Sequence, residues 1–214
     1  MKIDNIIKEE ILSFLNEMSL HSMNYNNIIT PEYIKGLEMS DEYERFIENY
    51  QYEENKTDVD KDEIEETDDF KNWFKYELKY LYDDVLDKLN DIILPNNTIN
   101  IWRMLTVDEN WINNLIVKGK HLGIYWSWDE NSAEAHWGNG GQKRVTLKSN
   151  VREEYVNWDD TIKLNMNISL GEEEKEIRLF KNTPIKIIEI LDENNHNLLE
   201  LPEYKQIKEK TFYA

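Results

Sequence analysis

Apolar residues recur at helical spacing through the first 90 positions and alternate with polar ones over much of the remainder. That change of period divides the chain. Ile3, Ile7, Ile11, Phe14, Leu15 and Met18 predict a first helix. Thr30-Pro31 reads as a cap followed by a first-turn proline. It opens a second helix through Tyr33, Ile34, Leu37, Tyr43, Phe46, Ile47 and Tyr50, with Gly36 and Ser40 as its break points. Glu53 to Asp69 then holds ten acids, two lysines and few apolar residues, which predicts a solvated, mobile linker. A third helix is predicted from about Phe70 to Asn90, burying Phe70, Trp73, Phe74, Leu78, Leu81, Val85 and Leu89. Leu94-Pro95-Asn96-Asn97 ends the helical part.

The rest reads mainly as strands. Thr98–Leu105 is strand-like, Asp108–Lys118 a short helix closed by Gly119, and Leu122–Trp128 a second strand. Asn131–Trp137 reads as a short helix, Gly138-Asn139-Gly140-Gly141 as a loop, and Arg144–Val151 as a third strand. Residues 152–165 have no decisive period, and Asn165–Gly171 looks like a loop. Glu174–Phe180 and Ile185–Leu191 are predicted strands joined by Lys181-Asn182-Thr183-Pro184. Asp192-Glu193-Asn194-Asn195 is a hairpin-type turn, after which Leu198–Leu201 can pair back, and 202–214 is a polar tail. The expected class is α+β. Three portions follow: an acidic helical one at 1–95, a strand-rich module at 96–191, and a C-terminal hairpin and tail at 192–214.

Charge refines this division. The 214 residues carry a net charge of -19. Residues 1–100 hold 25 acidic and 10 basic side chains, and residues 101–214 hold 19 and 15. The acidity therefore belongs to the helical part, at -15 against -4. A chain this acidic is a poor match for nucleic acid or for an anionic membrane, and a basic protein partner suits it better. The 7 Trp and 12 Tyr argue for a folded core. Having no cysteine, the chain has no disulfide, thiol nucleophile or cysteine-ligated metal. Its four His are scattered, so no metal is expected. The acidic N-terminus does not read as a signal peptide, and no apolar run is long enough to span a bilayer. A cytoplasmic protein is expected.

Three short features carry candidate chemistry. Arg103 shares a predicted strand face with Ile99, Ile101 and Leu105, so a buried guanidinium there needs a partner. A carboxylate or phosphate would serve, and the plain alternative is a structural ion pair. Ser127 lies among the aromatics of Gly123-Ile124-Tyr125-Trp126-Ser127-Trp128, whose rings could stack on a flat ligand or simply fill a core strand. Glu174 and Glu176 open a late strand two residues apart, so both project to one face. They can hold a ribose hydroxyl and stabilise an oxocarbenium-like transition state, or be a solvated acidic turn.

In that order the three resemble the Arg–Ser–Glu layout of ADP-ribosyltransferases, over about residues 98–190. The resemblance implies an ADP-ribosyltransferase-like split β-sandwich with a helical portion before it. It implies NAD as substrate and no metal. Arg103 would grip NAD, the Ser127 strand would support the nicotinamide ribose, and Glu176 would be catalytic. Glu174 would help activate or select the acceptor, and Tyr125, Trp126 or Trp137 would sandwich nicotinamide. Asn165–Glu173 would be the acceptor-recognition loop. The chain departs from the family in having Tyr125-Trp126-Ser127 where Ser-Thr-Ser is usual, and Met104 after the arginine where many members have Gly. Glu172-Glu173-Glu174 offers a competing register. The implied activity is mono-ADP-ribosylation of a protein with a basic surface, at arginine by the presence of Glu174, or NAD hydrolysis if water is the acceptor. Composition and absence of a signal suit a toxin-like or virus-encoded modifier acting in a host cytoplasm. The other reading is a non-enzymatic acidic inhibitor that mimics nucleic acid or clasps a basic partner through 53–69, Asp41-Glu42 and Asp83-Asp84.

Overall fold

The computed structural model of the chain describes residues 19–108, 110–111, 121–133, 143–166 and 175–214. The predicted helix at 3–18 lies outside the described residues, as do most of the predicted 108–118 helix, the Gly138–Gly141 loop and most of 165–173.

After a 3-10 turn at Leu20–Ser22, five α-helices open the described chain: α1 (Tyr25–Ile28), α2 (Pro31–Glu38), α3 (Asp41–Glu53), α4 (Lys61–Glu65) and α5 (Asp68–Ile92). Thr30 caps α2 by accepting the Tyr33 N–H at 3.2 Å, and Pro31 occupies the first turn. The helix expected to run from Pro31 to Tyr50 is two helices. Ser40 donates its hydroxyl to the Leu37 carbonyl at 2.6 Å and takes an extended backbone, which ends one helix and starts the next. Tyr43, Phe46 and Tyr50 of α3 then meet Phe70, Trp73 and Phe74 of α5 largely edge-to-face, with Phe46 and Phe74 centroids 4.9 Å apart.

The acidic stretch 53–69 is built differently from the mobile linker its composition predicts. It contains α4, capped by Asp60, and Ile64 within it is 2% exposed. Thr67 caps α5 through the Phe70 N–H at 3.2 Å, and Gln51 donates to the Val59 carbonyl at 2.6 Å. Burying one isoleucine is worth about 1.5–3 kcal/mol, enough to dock one helical turn whose acids face water.

After Leu94–Asn97 the chain becomes a sheet. Its elements are β1 (Thr98–Val107), β2 (Tyr125–Ser127), α6 (Glu130–Ala133), β3 (Lys143–Arg152), α7 (Trp158–Asn165), β4 (Glu176–Arg178), β5 (Pro184–Ile185), β6 (Ile187–Leu191), α8 (Lys205–Lys208) and β7 (Phe212–Tyr213). Five strands form an antiparallel sheet in the order β4-β2-β1-β3-β6, and β5 pairs with β7. The α+β class is therefore as expected. β1 and β3 pair along their whole length, from Thr98↔Arg152 to Val107↔Lys143. One face of that pair buries Ile99, Ile101, Val145, Leu147 and Val151.

Three segments depart from expectation. The second strand begins at Tyr125 rather than Leu122, because the Leu122 N–H bonds the Tyr213 carbonyl at 2.7 Å and Gly123 turns through φ +81°. Residues 158–165, without a decisive period, form α7, capped by Asn157 and burying Trp158, Thr161 and Ile162. The polar tail is a structural strap. Ile207 and Phe212 are buried, and residues 182–183 and 214 exchange backbone hydrogen bonds. Leu198–Glu200 is a 3-10 turn rather than a returning strand, with one bridge between Leu191 and Asn197. Buried residues of the helical and strand-rich parts belong to one cluster, in which Phe46 and Leu78 join Ile99, Ile177 and Phe212. Among the described residues no helix is long and apolar enough to cross a membrane.

Candidate active site

The strands carrying Glu176, Ser127 and Arg103 are β4, β2 and β1, three neighbours in the sheet. Ser127 is the register partner of Trp102 on one side and of Glu176 on the other. Antiparallel partners project to the same face, so Trp102, Ser127 and Glu176 form one row across the sheet. Arg103 is one residue out of that row. By alternation it leaves β1 on the opposite face, beside Leu147 of β3.

Arg103 nonetheless returns to the seam between β1 and β2. Its Nη1 donates to the Tyr125 carbonyl at 2.8 Å. Gly123 makes room for it: a Cβ at that position would stand 2.6 Å from Nη1. The seam is where β2 stops pairing, since Trp102↔Ser127 is the single registered pair between the two strands. Burial pulls the guanidinium below its ordinary value, and the negative charge of Glu176 opposes that pull. Arg103 has no ion pair among the described residues. It is a partly desolvated cation held by a neutral carbonyl.

Glu176 is 7% exposed. One carboxylate oxygen, Oε1, accepts from Nε of Arg178, two residues along the same strand and on the same face. The Arg178 guanidinium also lies over the ring of Tyr125, its register partner, at 4.2 Å. The Glu176 backbone carbonyl accepts from the Asn165 side chain at 2.8 Å, which ties β4 to the end of α7.

Ser127 is 1% exposed, and its hydroxyl is taken up locally. It lies 2.8 Å from the Asp129 carbonyl and 3.3 Å from that of Lys175, and accepts the Asp129 N–H at 3.1 Å. These contacts join the exit of β2 to the entry of β4, where Lys175 has a left-handed backbone of φ +42°. Lys175 also pairs with Asp129 at 3.5 Å. Burial pushes the Asp129 carboxyl upward, but hydrogen bonds from Ser132 and the charge of Lys175 outweigh it and hold the group below its usual range. Ser127 thus positions Glu176 through backbone.

The aromatic candidates separate. Tyr125 is 48% exposed, whereas Trp126 is 2% exposed in the core with its indole N–H on the Gly123 carbonyl at 2.9 Å. Trp126 therefore has no ring face to offer a ligand. Trp137 and Glu174 lie outside the described residues. Three contributors escaped sequence reasoning. Arg178 was detectable, since period-2 spacing from Glu176 puts it on the same face. Gly123 and Trp102 were not, because their roles depend on strand register. Among the described residues no three His, Asp or Glu side chains converge as metal ligands do.

A groove of about 820 Å³ borders this site. It runs between α2–α3 and α7, and Arg178 is one of its lining residues. No protein-family model matches the chain, and no curated protein or solved structure matches it either.

Proposed function

We propose that the chain is an NAD-dependent mono-ADP-ribosyltransferase with a split β-sandwich of that family's kind. One observation carries the reading. A half-buried guanidinium without an ion pair among the described residues, Arg103, which leaves β1 on the opposite face and returns at the β1–β2 seam, and a buried carboxylate, Glu176, flank the strand that presents Tyr125 to solvent. A desolvated arginine gains most from a doubly charged anion such as the pyrophosphate of a dinucleotide. Tyr125 gives a flat ring for the nicotinamide. Oε2 of Glu176 has no hydrogen-bond donor among the described residues, so it can accept from a ribose hydroxyl while Oε1 keeps Arg178.

In the reaction the bond between nicotinamide and the anomeric carbon breaks, and its electron pair leaves on nicotinamide. Glu176 stabilises the positive charge that develops on the ribose. A nitrogen of the protein acceptor then bonds the anomeric carbon, and the proton it loses passes to the carboxylate of Glu174. Glu174, two residues before Glu176, serves the acceptor, and the helical portion receives the acceptor protein.

Nicotinamide release from NAD, and transfer of labelled ADP-ribose to lysate proteins, test the proposal. Glu176→Gln should lower both on the order of 100- to 1000-fold with the fold intact by circular dichroism. A folded wild-type chain that neither releases nicotinamide nor labels any lysate refutes it.

A further inference from the structure

The groove beside Arg178 has a chemistry of its own. Phe46 and Leu78 from the helical part and Met166 after α7 are buried and form its floor, while Asp41 and Asp160 are exposed at its mouth. Tyr33 and Leu37 of α2 and Leu164 of α7 line its walls. Glu42 is a third carboxylate of the lining, and its negative charge, after burial itself, helps push the Tyr33 hydroxyl up to about 12.

The cations of the groove are already committed. Lys163 lies 2.7 Å from Asp159, and Arg178 is held by Glu176. Asp41 and Asp160 have no ion pair among the described residues. Each stands in the first turn of a helix, which favours a carboxylate but does not neutralise it. The groove therefore combines an apolar floor with two carboxylates, Asp41 and Asp160, that no cation pairs among the described residues, Asp160 accepting only a neutral hydrogen bond from Asn157 at 2.8 Å. That suits side chains with a hydrocarbon stem and a cationic head, since the stem can lie on Leu37 and Leu164 while the head meets Asp41 or Asp160.

We infer that this groove is the docking site for a basic segment of a partner protein. The helical part that lines one wall of the groove belongs to the acidic portion of the sequence, which draws such a partner. The inference rests on the transferase reading for one point only: the groove borders Arg178 and hence Glu176, so the docked segment is the acceptor.

Fluorescence anisotropy with the full chain tests it, using a labelled peptide of alternating arginine and alanine and an acidic peptide of equal length. The basic peptide should bind and the acidic one should not. Asp41→Asn with Asp160→Asn keeps the side-chain shapes and should weaken binding at least tenfold. Asp62→Asn with Glu63→Gln removes the same charge from exposed positions of α4 and should change binding less than twofold. Equal losses in the two double variants would show general attraction to an acidic surface and overturn the inference, as would failure of the wild type to bind the basic peptide. Nicotinamide release is read in parallel. If release occurs without peptide binding, the groove proposal fails and the enzyme reading stands. If the peptide binds through the groove without release, docking stands and its assignment as acceptor falls with the enzyme.

Discussion

Gly123→Ala probes the seam where Arg103 is held. Gly123 has φ +81°, and a left-handed backbone costs a residue with a Cβ about 1–2 kcal/mol. The added methyl would stand 2.6 Å from Arg103 Nη1, so the guanidinium must shift, and at most its whole bond to the Tyr125 carbonyl is lost. A hydrogen bond from a charged donor contributes about 1.5–3 kcal/mol. Alanine returns about 0.4–1 kcal/mol by restricting the unfolded chain. With the whole bond lost, the net loss should be about 2–4 kcal/mol, which moves a urea midpoint by about 1 M for a chain of this size. The decisive assay repeats the substitution in an Arg103→Met background. There the guanidinium is gone and the backbone cost alone remains, so the two changes should couple by about 1–3 kcal/mol. An unchanged midpoint, or the same cost in both backgrounds, refutes the placement of Arg103 against Gly123.

Two further outcomes follow from the packing and the ionisation of the helical part. Ile64→Ala should lower stability by about 2–4 kcal/mol in chemical denaturation, whereas a solvated linker at 53–69 would show no change. Tyr33 and Tyr43 are both raised to about 12, first by burial and then by neighbouring carboxylates. The native chain therefore holds protons that the unfolded chain, titrating near pH 10, gives up. The stability these two groups contribute is fully present below about pH 10 and is lost as pH rises through about 12. Urea midpoints across that window should fall less steeply in Tyr43→Phe, and tyrosinate absorbance should lose a late-titrating component of the wild type in that variant, while Tyr33, Tyr25 and Tyr82, all raised by burial, still titrate late.

Local pattern determined the elements with long, regular periods. The α5 face from Phe70 to Leu89 and the alternation of Arg144–Val151 are each set by neighbours three, four or two residues away, so they were legible directly. So was the Thr30-Pro31 start of α2. Composition misled where a few apolar residues dock a polar segment. Ile64 fixes α4 among ten acids, and Ile207 and Phe212 fix the tail, because burial energy depends on what a side chain meets rather than on its neighbours in sequence. The candidate site divides in the same way. The types and order of Arg103, Ser127 and Glu176 could be read from the chain, as could the shared face of Glu176 and Arg178. That Ser127 and Glu176 are register partners, that Arg103 falls one position out of their row and returns past Gly123, and that Trp126 is core while Tyr125 is exposed were decided by strand pairing. A one-residue shift in register moves every side chain to the other face, and register is fixed by contacts between segments 22 to 48 residues apart.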